Sequence, residues 1–194
     1  MNRIGLLLAA LAVPLLLAVP ATAGEKYADD CTLSERDAPT LDRAKLPDAR
    51  FRMAESEIGF ERRENGEKVT LKRRHGQETA TLASGVKLSV TQGGCEDYSN
   101  HYVFVVIGDR TRLSDTRHWL TRASALIAEV APANRDGFVR LPQLSRVLAR
   151  EAATSRVDLI DGLEGQLDES HRYVATVTRR GERTLLRVSY IIRL

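Results

Sequence analysis

Apolar and polar residues alternate with a period of two along much of the chain, which is the pattern of half-buried strands. Glu57-Ile58-Gly59-Phe60-Glu61-Arg62 and Lys68-Val69-Thr70-Leu71-Lys72 alternate on either side of Asn65-Gly66. That dipeptide predicts a two-residue type I′ hairpin turn with Phe60 opposite Leu71. A second hairpin runs from Thr79–Leu82 to Val86–Val90. A three-residue loop there, with Gly85 left-handed, sets Leu82 against Val86 and Ala80 against Leu88, whereas a two-residue loop mixes the faces. Tyr102–Ile107 is a continuous apolar run, as expected of a strand covered on both faces.

The period then changes to that of helices. Trp119, Leu120, Ala123, Leu126, Ile127 and Val130 form one stripe after a cap at Ser114 or Asp115, and Pro132 stops it. Pro142 suits the first turn of a second helix with Leu141, Leu144, Val147, Leu148 and Ala152 inward. Residues 156–170, rich in Asp and Gly, read as a loop. Alternation returns at Arg172–Thr178, and Leu186, Val188, Tyr190, Ile192 and Leu194 share one face of a last strand. The predicted fold class is α+β: a largely antiparallel sheet of about five strands, two helices and two strands, with both helices on one face.

Composition matters mainly through the first 23 residues. They hold one charge, Arg3, an apolar run from Ile4 to Val19, and Ala21-Thr22-Ala23, a small-x-small cleavage pattern. Residues 1–23 are therefore expected to be a cleaved signal peptide, with the protein periplasmic or secreted, and the excess of arginine over lysine, 24 to 5, suggests a bacterial source. No later stretch approaches the roughly 18 apolar residues of a spanning helix, so no stable membrane insertion is expected after cleavage. Residues 24–50 read as an extended segment and 51–194 as one α+β domain. In an oxidising compartment Cys31 and Cys95 are expected to form a disulfide that ties the segment to the domain. Closing so long a loop is worth about 4 kcal/mol.

Candidate chemistry is thin. Glu96, Asp97, Asn100 and His101 follow Gly93-Gly94-Cys95 and form a candidate binding loop, two carboxylates, an amide and an imidazole within six residues. Their spacing fits no metal motif, and no cofactor is implied. His118, beside Trp119, has Asp115 three residues before it as a partner for its ring. The whole chain carries 29 basic and 26 acidic residues, and residues 109–194 carry 15 and 11. Arg110, Arg112, Arg117 and Arg122 form a candidate basic patch for an acidic protein or a polyanionic envelope component. Nucleic acid is not an expected partner of an exported protein. These features point to a binding, accessory or inhibitor-type module rather than an enzyme. The alternative is an envelope hydrolase using Glu96, Asp97 and His101, and a third reading has the terminal strand pair with a partner's sheet edge.

Overall fold

The computed structural model describes residues 25–27, 39–93, 97–154 and 158–193. Its elements are β1 (Glu25–Tyr27), β2 (Arg50–Arg62), β3 (Lys68–Thr81), β4 (Lys87–Gly93), β5 (Asp97–Ile107), α1 (Thr116–Val130), α2 (Leu141–Thr154), β6 (Leu163–Gln166), β7 (His171–Arg180) and β8 (Arg183–Arg193). Seven strands, β2 to β8, form an antiparallel sheet in the order β2-β3-β4-β5-β8-β7-β6. β1 adds in parallel to the first half of β3, whose second half pairs with β4. The α+β class and the mostly antiparallel sheet stand. The division of the strands differs from the expectation: besides the short β1, four strands precede the helices and three follow them. Lys68–Lys72 and Thr79–Thr81 belong to one strand, because Gly76 leaves room for the Gln92 side chain where the two halves meet. Residues 156–170 are not all loop, since Leu163–Gln166 pairs with Arg172–Ala175.

Cross-strand pairs share a face, so the register sorts every side chain. One face carries the rows Leu88–Phe104–Leu186–Val177, Val90–Tyr102–Val188–Ala175 and Gln92–Asn100–Tyr190–Tyr173, all buried. Both helices pack here. Asp115 caps α1 by accepting from the His118 backbone N–H. Trp119 is fully buried and donates through Nε1 to the Arg112 carbonyl at 2.9 Å, which fixes the entry into the helix. Ser124 and Ser145, both buried, bond to each other's carbonyls where α1 and α2 cross. Small side chains let the backbones approach there.

Three expectations about the strands need correction. The first hairpin turns through Glu64-Asn65-Gly66, with Gly66 N–H bonded to the Arg63 carbonyl and Arg63 N–H to the Glu67 carbonyl. Gly66 takes a positive φ of 81°, so the loop has three residues and Phe60 pairs with Thr70, not Leu71. β5 is fully covered on one face only, because Val103 and Val105 are half-buried on the other. The terminal strand β8 lies between β5 and β7, so its edges are already paired, and β2 and β6 are the outer strands.

Part of the hold on the segment before β2 comes from a buried side chain. Glu78, buried in β3, accepts from Thr40 N–H and Thr40 Oγ1 at 2.6 Å and from Leu41 N–H at 3.1 Å. Leu41 bridges Asn134 in the α1–α2 connection, and Asp42 N–H bonds to the Ala133 carbonyl. Cys31 and Cys95 lie outside the described residues, and so does the proposed link between them.

Candidate functional site

The candidate loop does not act as one unit. Glu96 lies outside the described residues. Asp97 begins β5 on the face opposite the helices and receives Arg172 at 3.5 Å. His101 shares that face, four residues on. Asn100 points the other way, buried beneath the helices, where its Nδ2 donates to Asp136 at 3.1 Å. Tyr98 donates to the same carboxylate oxygen at 2.9 Å, and both bonds anchor the α1–α2 connection to β5. A shallow pocket of about 210 Å³, lined by Thr40, Tyr98, Asp136 and Phe138 among others, opens above this anchor.

The other histidines stand apart. His118 lies past the far end of β5, its Nε2 2.9 Å from Asp109 rather than held by Asp115, whose carboxylate caps the helix. Burial pushes the Asp109 carboxyl up, but bonds from Thr111 and His118 outweigh it and bring the pKa down to about 2. Of the candidate basic patch, Arg117 and Arg122 share a depression of about 480 Å³ with His118 on the outer side of α1, while Arg110 and Arg112 sit in the loop that leads to it. His171 Nδ1 meets Asp168 at 2.6 Å, and the same carboxylate pairs with Arg140. Among the described residues no three of His, Cys, Asp and Glu gather as a metal site.

The sheet face away from the helices brings together residues that lie far apart in sequence. Its rows are Lys87–Val105–Leu185–Thr178, Ser89–Val103–Arg187–Thr176, Thr91–His101–Ser189–Val174 and Gly93–Ser99–Ile191–Arg172. Ile107, Arg183 and Arg180 extend it at one end, and Asp97 and Arg193 at the other. Val103, Val105, Val174, Leu185 and Ile191 are half-buried, and no described helix lies over them. Around this apolar centre β4 to β8 present six cations, Lys87, Arg172, Arg180, Arg183, Arg187 and Arg193, against Asp97 and Glu164. The basic excess of the second half of the chain is therefore concentrated on one surface.

His101 sits at the middle of that surface. Ser99 Oγ donates to the Gly93 carbonyl at 3.0 Å, so His101 Nε2–H donates to Ser99 Oγ at 3.2 Å. That leaves Nδ1 to accept from Ser189 at 2.8 Å. Burial, and then the charge of Arg187, lower the imidazole pKa and favour the neutral ring this network requires. The arginines of β7 and β8 are absent from the predicted basic patch. Their signal was present in the alternation: Arg183, Arg187 and Arg193 occupy the parity opposite to Leu186, Val188, Tyr190 and Ile192. The chain matches no known family model, and no curated protein or solved structure is significantly similar to it.

Proposed function

We propose that the chain is an exported binding module and that the open sheet face is where an acidic partner docks, either a protein or a polyanionic envelope component. The leader-like first 23 residues support export. One observation carries the binding reading: cations ring a half-buried apolar centre on a face that no described helix covers. Arginine on such a face offers forked donors to carboxylate or phosphate, and the apolar row adds contact area. The hydrolase reading has less behind it: Asp97 and His101 share the open face, but Asp97 receives Arg172 while His101 bonds to Ser99 and Ser189.

Capture from envelope extract tests the proposal. Wild-type protein is compared with Arg172→Glu/Arg187→Glu on the open face and with Arg146→Glu/Arg150→Glu on the outer side of α2, where both arginines are exposed. The expected result is a salt-sensitive partner retained by wild type and by the helix variant, and weakened by about tenfold or more in the sheet variant. Equal capture by all three proteins, or none by wild type, overturns it.

A further inference from the structure

We infer that the outer strand β2 is the interface for a second copy of this chain, pairing antiparallel with β2 of the other copy about a two-fold axis at Glu55. β2 spans 13 residues, and among the described residues no strand pairs with its outer side. Met53, Ile58 and Phe60 on it are 40%, 42% and 56% exposed. Long edges of this kind are normally protected by charge or by a bulge, and β2 has both. Here the two devices combine into self-complementarity.

The register makes the case. β2 slips by one residue against β3 between Glu57 and Gly59, leaving Ile58 as the extra residue of a bulge. Without the slip, Phe51 and Phe60, nine apart, would face opposite sides. With it they pair with Glu78 and Thr70, eight apart on β3, and so share a face. Arg50 and Glu61 likewise share the other face, opposite Thr79 and Val69. Centring two copies on Glu55 pairs Ala54 with Ser56 and Met53 with Glu57, then skips the bulged Ile58. It continues with Arg52 against Gly59, Phe51 against Phe60 and Arg50 against Glu61. Every pair then matches face with face, each end closes with an aromatic pair and an ion pair, and both occur twice. The one like-charged meeting, Glu55 with its own copy, lies beside Lys72 at 3.9 Å and Arg74 at 3.3 Å, which offset it.

An axis perpendicular to the sheet leaves both open faces on the same side, so the dimer would present two basic surfaces to one extended anion. The pairing itself does not depend on that reading of the open face. Sedimentation equilibrium on the mature protein tests it, using Arg50→Glu, Glu61→Arg and the double variant, with circular dichroism to confirm folding. The expected result is a concentration-dependent dimer, weakened ~10-fold or more by either single reversal and restored in the double variant, where the pair is re-formed with swapped signs. A protein that stays monomeric up to about 100 μM, a dimer indifferent to the single reversals, or a double variant as weak as the singles overturns it.

Discussion

Glu78 is buried in the interior, and both of its carboxylate oxygens accept from the segment that precedes β2. Removing the carboxylate would leave two backbone N–H groups and a hydroxyl buried without an acceptor, each costing on the order of 1 kcal/mol or more. Glu78→Ala is therefore expected to lower unfolding free energy by about 3 kcal/mol in urea titration. A loss under about 1 kcal/mol would mean that the segment is held by other contacts. Gly165 is a second decisive position. A methyl group there would overlap the phenol ring of the buried Tyr173 on the adjacent strand. Gly165→Ala should destabilise by about 1–3 kcal/mol, and thermal melts that match wild type would contradict the packing described. Neither role was legible in the sequence. Glu78 and Gly165 owe their importance to partners 38 and 8 residues away, and local pattern says nothing of a distant N–H or of which ring crosses a strand.

At the scale of elements, period and turn chemistry carried most of the information. Gly85 takes a φ of 77° in a three-residue loop, with Leu82 N–H bonded to the Val86 carbonyl, and Ala80 meets Leu88 as the alternation requires. Asn65-Gly66 misled by one residue because the same dipeptide also serves a type I turn followed by a left-handed glycine. In the candidate loop, nearness in sequence was the false guide. Asn100 and His101 are neighbours in β5, and a strand sends neighbours to opposite faces. His101 joins β4, β5 and β8 through its row, and its lowered pKa has a defined consequence. The unfolded chain binds a proton near pH 6.5 that the folded chain resists, so stability is complete above that pH and falls as pH drops through the folded value. Unfolding free energies measured between pH 7.5 and 5 should decline for wild type and less steeply for His101→Gln. Equal slopes would remove His101 as the cause.

For the whole molecule, net charge was a poor descriptor and its distribution a good one. A formal charge of +3 is spread over 29 basic and 26 acidic residues, a balance that by itself implies no partner. Folding sorts it. The helix-side face of the sheet is mostly apolar, and strand parity gathers Arg172, Arg180, Arg183, Arg187 and Arg193 on the other side around Val103, Val105 and Leu185, while Arg179 turns to the helix side and bonds to the Asp109 and Thr111 carbonyls. The last strand disclosed its apolar parity in the sequence. Its alignment beside β5 and β7, which turns single arginines into a surface, depended on the strand order β5-β8-β7 and could not be read locally. The most direct test uses a photo-crosslinking residue in place of Thr176, which lies beside Arg187 on the open face, and in a parallel strain in place of Arg146 on the outer side of α2. Irradiation of intact cells should give adducts with an acidic envelope component from position 176 and none from 146. No adduct from position 176, or the same adducts from both, would contradict the account.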